Sequence, residues 1–302
     1  MIDLRNLLES GHANLYAAKD QAELANKGSY RVGTSGAVAD DGEVYGTCHR
    51  KALARALGKE SYPGTGTAIM WASGEALEDT LTAVLQASGF TGKILRHADV
   101  LVQAEAGGKP LMGHPDIVLA DDDGKLLLGI ESKGVFGGTT ALSAALELKP
   151  KNANLIQAAI YSHCLNVPYV LLYTNPSWFK PHFSEQKRFG VKNIKPFYSL
   201  FHLEWRDDVL FYRHESETEW TRTKVTWSGV MDYYALVTEM QVRRDLGPRV
   251  SANYVNGDES KWGAEGDCTF CAQRAACDQY DIDQDWDTWV ASLDKVSSEG
   301  EA

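Results

Sequence analysis

Apolar residues recur along this chain with two different periods, and the change from one to the other separates helices from strands. In SGEALEDTLTAVLQASG, residues 73–89, Leu77, Leu81, Val84 and Leu85 fall on one helical face, with Ser73 placed to cap the helix and Gly89 to stop it. Residues 93–103, 111–120 and 125–133 carry shorter apolar runs bounded by turn residues, which predicts three strands. NANLIQAAIYSHCL, residues 152–165, returns to the helical period, and YVLLYT, residues 169–174, reads as a buried strand. FHLEWRDDVLFYRHE predicts a hairpin turning at Asp207 and Asp208, and GVMDYYALVTEMQVRRDLG an amphipathic helix ending at Gly247. Residues 1–60 read as mainly helical, closing with the short helix CHRKALARAL that Gly58 ends. Residues 281–302 read as an acidic, loosely held tail. Helices and strands in alternation predict an α/β core.

Composition narrows the class. With 302 residues, 44% of them apolar, the chain can bury a proper core. It has no uninterrupted apolar stretch of roughly 18 residues, and its start, MIDLRNLLESGHANLY, lacks the basic and then apolar run of a signal peptide, so a cytoplasmic protein without membrane association is expected. The net charge of -11 argues against nonspecific nucleic-acid binding over the whole surface. That charge is unevenly spread. Residues 177–199, SWFKPHFSEQKRFGVKNIKPFYS, gather Lys180, Lys187, Arg188, Lys192 and Lys195 among aromatic rings. Basic and aromatic residues together suit single-stranded nucleic acid, although a solvated loop over tucked rings accounts for the same composition.

The chemistry concentrates in GHPDIVLADDDGKLLLGIESKGV, residues 113–135. Asp123-Gly124 is a two-residue hairpin signal, and a turn there pairs Asp122 with Lys125. Counting outward sets Asp116 directly opposite Glu131, with Cβ atoms roughly 5 Å apart, near enough for two carboxylates to ligate one divalent ion. Lys133 falls on the same face two residues on, while Ser132 points away. The other face carries Ile117, Leu119, Leu126, Leu128 and Ile130, an apolar layer for a helix to cover. His114 falls opposite Lys133, beside the site rather than in it. A solvated acidic face with a surface ion pair would use the same residue types. Against that, two carboxylates among apolar neighbours repel unless a cation lies between them.

Asp116 followed by Glu131-Ser132-Lys133 resembles the PD-(D/E)xK nuclease core. Gln157 and Tyr161, one helical turn apart in QAAIY, resemble the Q-x-x-x-Y motif of its RecB-like branch. GEALE resembles that branch's first motif, in which a glycine is followed four residues later, commonly by histidine; here the position is Glu78. The resemblance implies a restriction-endonuclease-like core, a central mixed sheet flanked by helices, over residues 61–235, with 177–199 as a basic aromatic insertion. It implies catalysis by Asp116, Glu131, Lys133, Gln157 and Tyr161, with Mg2+ or Mn2+ held by Glu78, Asp116 and Glu131. In that scheme Lys133 positions the attacking water, and Gln157 and Tyr161 orient Lys133 or the substrate backbone. Glutamate where histidine is common keeps an oxygen ligand for a hard cation and leaves the preference among metals open.

The 236–280 segment joins a C-terminal helix to a cysteine cluster, Cys268-x2-Cys271-x5-Cys277, which offers three thiolates. Cys48 and Cys164 are the remaining donors. Cys164 lies one turn after Tyr161 on a core helix, where a small buried thiol is the common case, and Cys48 opens an exposed junction free to meet the C-terminal segment. Four thiolates suit tetrahedral zinc and a cubane alike. A distant N-terminal cysteine with a C-terminal C-x2-C-x5-C resembles the clasp of iron-sulfur RecB-like nucleases, among them CRISPR-associated exonucleases. That resemblance implies a 4Fe-4S cluster on Cys48, Cys268, Cys271 and Cys277, joining helical N- and C-terminal segments, with Zn2+ as the competing occupant. It implies a metal-dependent DNA exonuclease acting on single-stranded or free ends, 5'-to-3', in recombination, repair or CRISPR or phage DNA processing. Lys180, Lys187, Arg188, Lys192 and Lys195 would contact the DNA, and recombination or CRISPR adaptation proteins would be partners. A structure-specific endonuclease and a catalytically silent DNA-binding scaffold are the alternatives.

Overall fold

A computed structural model of the chain describes residues 28–59, 64–97, 99–135, 149–175, 197–247 and 273–299. Three short strands, β1 (Tyr30–Arg31), β2 (Gly36–Val38) and β3 (Val44–Gly46), precede helices α1 (His49–Ala56) and α2 (Gly64–Ala87). Strands β4 (Lys93–Arg96), β5 (Val102–Ala106), β6 (Lys109–Gly113), β7 (Ile117–Ala120) and β8 (Leu126–Gly134) follow, then α3 (Asn152–Leu165) and β9 (Tyr169–Asn175). The rest comprises β10 (Phe197–Arg206), β11 (Val209–His214), β12 (Thr221–Thr226), α4 (Trp227–Arg243), α5 (Arg274–Asp283) and α6 (Trp286–Glu299).

A seven-stranded mixed sheet in the order β12-β11-β10-β9-β8-β7-β4 forms the centre, flanked by helices. Its strands are antiparallel to their neighbours except β8 and β9, which are parallel and joined through α3, the crossover such a pair requires. The unbroken apolar run of β9 follows from its central place. Tyr169, Leu171 and Tyr173 enter the main core with α3 and α4, while Val170 and Leu172 enter a second core under α2, with Leu77, Leu81, Ile117, Leu119 and Ile130. The β10–β11 turn falls at Asp207 and Asp208, as predicted, and both adopt positive φ, as a two-residue hairpin turn matched to the strand twist demands. Among the described residues no helix is long and apolar enough to cross a membrane.

Several expectations are corrected. Residues 30–46, read as helical, form β1, β2 and β3 with a short 3-10 turn between the first two; residues 1–27 lie outside the described part. Small and β-branched residues there pack against α4, where Gly36 lies so close to the Tyr233 ring that a Cβ would sit 2.5 Å away. Ser73 lies inside α2, which begins nine positions earlier, rather than at its start, and Val84 faces solvent. Helix α4 ends at Arg243, with Arg244 in the left-handed region, three residues before Gly247. The described part of that tail is mostly the helix Trp286–Glu299, and Trp289 and Leu293 are buried in the main core. An acidic composition concealed an apolar stripe strong enough to dock. Strand β12, TRTKVT, was not anticipated, since it offers a single buried apolar side chain, Val225.

The run 111–120 is two strands. Pro115 has no amide hydrogen to give a ladder, so the chain leaves β6 at Gly113 and enters the large sheet at Ile117. The run 93–103 divides in the same way between β4 and β5. The paired strands β5 and β6, with β1, make a separate three-stranded sheet. The chain therefore crosses between the sheets twice, and at these crossings the rings of His97 and His114 stack with centroids 5.3 Å apart.

Candidate active site

The β7–β8 register puts Asp116 opposite Glu131 as expected, by a different turn. Asp121 and Lys125 pair through a 2.9 Å backbone bond, and the Gly124 amide donates to the Asp121 carbonyl at 3.1 Å. The loop is thus Asp122-Asp123-Gly124, with Gly124 at φ +86. A three-residue loop alone would slide Asp116 against Ile130. A bulge restores the register: Ala120 pairs with Leu126 but Leu119 with Leu128 and Ile117 with Ile130, leaving Leu127 unpaired and exposed. The same bulge turns Leu126 to the main core instead of joining Leu128 above α2, a correction to the predicted apolar face.

Four predicted side chains, Asp116, Glu131, Lys133 and Glu78, converge at the open end of the hairpin, away from the turn. The Ser132 amide donates to Asp116 Oδ2 at 2.7 Å, and Lys133 Nζ donates to Glu131 Oε1 at 2.5 Å. The Glu131 side chain has 0% exposure, whereas that of Lys133 keeps 27% and meets solvent. Glu78 arrives from α2, its Oε2 3.5 Å from Arg96, which also holds Asp79 at 2.7 Å. From α3, the Tyr161 hydroxyl donates to the His114 carbonyl at 3.0 Å, in a space that a Cβ on Gly113 would invade at 2.7 Å. Gln157 bonds the same hydroxyl. Tyr161 therefore holds the chain entering β7, and the Lys133 ammonium is engaged by Glu131 where Tyr161 or Gln157 was expected to orient it.

Electrostatics mark the three carboxyls as one group. Burial, and then the charge of Asp116, push Glu131 up to about 8 and Glu78 up to about 7, with Lys133 opposing in both. Burial also raises Asp116, against the pull of Lys133 and the Ser132 amide. For Lys133, burial acts downward, but the charges of Glu131 and Asp116 outweigh it and its pKa rises. Among the described residues no three His, Cys, Asp or Glu side chains are drawn together as a metal-holding group; Asp116 accepts from the Ser132 amide, Glu131 from Lys133 and Glu78 from Arg96. The donors nonetheless fit a hard divalent cation in kind. All are carboxylate oxygens, and their mutual repulsion calls for positive charge.

Sequence reasoning missed Arg96, His97, Gly129 and Tyr169. Burial and then His114 lower the pKa of His97, against the opposing charge of Asp116, which puts this ring at the margin of the site. Gly129, two residues before Glu131, was the legible signal, since a glycine inside a strand marks close approach of another group.

Of the cysteines, Cys48 adjoins the start of α1 and Cys277 is buried on α5. Arg50 ties these helices: its Nη1 donates to Asp281 Oδ1 at 2.8 Å, its Nη2 donates to the Gly247 carbonyl, and the guanidinium lies over the Tyr280 ring. Burial raises the Cys164 thiol to about 11, which suits a packed side chain better than a ligand. Cys268 and Cys271 lie outside the described residues, as do Lys180, Lys187, Arg188, Lys192 and Lys195. Comparison of the chain with family models, curated proteins and solved structures finds no match.

Proposed function

We propose that the protein is a divalent-metal-dependent DNA nuclease of the PD-(D/E)xK type. The convergence of Asp116, Glu131 and Lys133 at one end of a buried hairpin, joined by Glu78, carries the reading. The order of elements supports a restriction-endonuclease-like core: a helix, α2; three antiparallel strands, β4, β7 and β8; a second helix, α3; and β9 parallel to β8.

Glu78, Asp116 and Glu131 would hold Mg2+ or Mn2+, which when bound polarises the scissile phosphate and lowers the pKa of a coordinated water. Lys133, partly exposed and held by Glu131, would present an ammonium where negative charge develops on phosphorus oxygens. Tyr161 fixes the backbone two residues before Asp116 and so sets the carboxylate's approach. Exonuclease action on single-stranded ends, with 5'-to-3' polarity and a role in recombination, repair or CRISPR or phage DNA processing, belongs to the same proposal and rests on the motif resemblance. The basic aromatic stretch would be the DNA track. Cys48, Cys268, Cys271 and Cys277 would hold a 4Fe-4S cluster, whose thiolate donors Zn2+ would also accept; the Arg50 link between α1 and α5 supports a shared site.

One observation favours a second reading. The Lys133 ammonium seated on Glu131 Oε1 is the arrangement a catalytically silent DNA-binding scaffold would keep. Digestion of end-labelled single and double strands with Mg2+ or Mn2+ separates the two. Wild-type cleavage that falls about 100-fold or more in Glu131→Ala and in Lys133→Ala supports the nuclease. Equal cleavage by all three proteins overturns the assigned site, and strand binding without cleavage selects the scaffold.

A further inference from the structure

Two polar atoms beneath the site are shielded from solvent and without hydrogen-bond partners: Oε2 of Glu131 and the hydroxyl of Tyr169. Leaving a buried polar group unpaired is destabilising, so two such groups on one face are natural partners. Their strands are neighbours. Tyr169 pairs with Gly129 in the parallel β8–β9 ladder, and Gly129 and Glu131, two residues apart, face the same way. A Cβ on Gly129 would lie 1.9 Å from the Tyr169 ring, so the ring rests against that glycine. Tyr161 stacks beside it with centroids 6.1 Å apart. The phenol responds to the site: after burial, the charges of Glu131 and Asp116 raise its pKa.

Two neighbouring donors are engaged elsewhere. Lys133 is on Oε1 and Tyr161 donates to the His114 carbonyl, while the Tyr173 hydroxyl accepts from the Lys151 amide and the Asn154 side chain, both at 3.0 Å. We propose that Tyr169 is a positioning residue whose hydroxyl donates to Glu131 Oε2 and, with Lys133 on Oε1, fixes the plane of that carboxylate. The inference rests on the reading of Glu131 as a metal-ligating carboxylate. Outer partners of ligating groups typically change metal affinity about 10–100-fold when removed.

Tyr169→Phe keeps the ring on Gly129 and deletes only the donor. In metal-free protein at alkaline pH, the isotope-edited infrared band of the Glu131 carboxylate, identified by its loss in Glu131→Gln, should shift in Tyr169→Phe. Mn2+ affinity by calorimetry should fall about 10-fold or more, and Tyr169→Phe should add nothing in a Glu131→Gln background. An unmoved infrared band, or Mn2+ affinity equal to wild type, overturns the assignment of Tyr169. A wild type that takes up no Mn2+ overturns the nuclease reading instead, and the infrared band still decides Tyr169.

Discussion

Glu131 sits at the bottom of the site with no exposed surface, and its carboxyl, like that of Glu78, titrates well above the ordinary glutamate value of 4.5. A carboxyl whose pKa is higher folded than unfolded holds a proton that the unfolded chain has released. Stability of the metal-free protein is therefore greatest below the unfolded value and falls as pH rises from about 4.5 towards about 8. Urea midpoints should be lower at about pH 8 than at about pH 5, and Glu131→Gln should flatten most of that slope and unfold later than wild type at the alkaline end. A wild type as stable at the alkaline end as at the acid end would contradict the electrostatic account. The same residue was legible in the sequence because a Glu-x-Lys pair at strand spacing shares a face. Tyr169 was not, because nothing in YVLLYT distinguishes a tyrosine under a carboxylate from one in a core.

At the scale of elements, the β7–β8 hairpin shows why the site could be read through an incorrect turn. The loop is one residue longer than the Asp-Gly signal implied, and the extra residue at Leu127 cancels the slip. Both deviations lie at the solvent end, while the register near Asp116 is set by two buried faces that a one-residue shift would invert. Deleting Leu127 removes the bulge and leaves Leu119 against Leu128, so fold and cleavage should survive. One alanine inserted between Leu128 and Gly129 moves Glu131 off the Asp116 face and should abolish cleavage and lower the urea midpoint. The paired variants, assayed side by side, test the register directly. Pro115 lies where the chain leaves one sheet and enters another, which places Asp116 at a strand entrance.

Across the whole molecule, the C-terminal helices close over the main core through Tyr280, Trp289 and Leu293, and Arg50 clamps α1 to α5. Trp289→Ala should cost about 3–5 kcal/mol by denaturant unfolding, where a loosely held tail would register almost nothing. The clamp joins α1, which Cys48 precedes, to α5, which carries Cys277, and the proposed cluster predicts that anaerobically purified protein is brown and contains iron. Cys48→Ala should lose the colour and Cys164→Ala keep it; colourless protein containing zinc would replace the cluster with a zinc site.

Periodicity alone determined the α/β alternation, the helix over residues 152–165, the buried strand over residues 169–174 and the Asp207-Asp208 turn, because each depends on residues close in sequence. It also brought Asp116, Glu131 and Lys133 to one face, since a hairpin converts short-range spacing into contact. Only the tertiary structure decided that the 93–103 and 111–120 runs divide between two sheets, that an acidic tail docks by Trp289, and that Arg96, His97 and Tyr169 border the site. Those facts depend on which faces meet across the fold, and the burial that raises the carboxyl pKa values exists only once they have met.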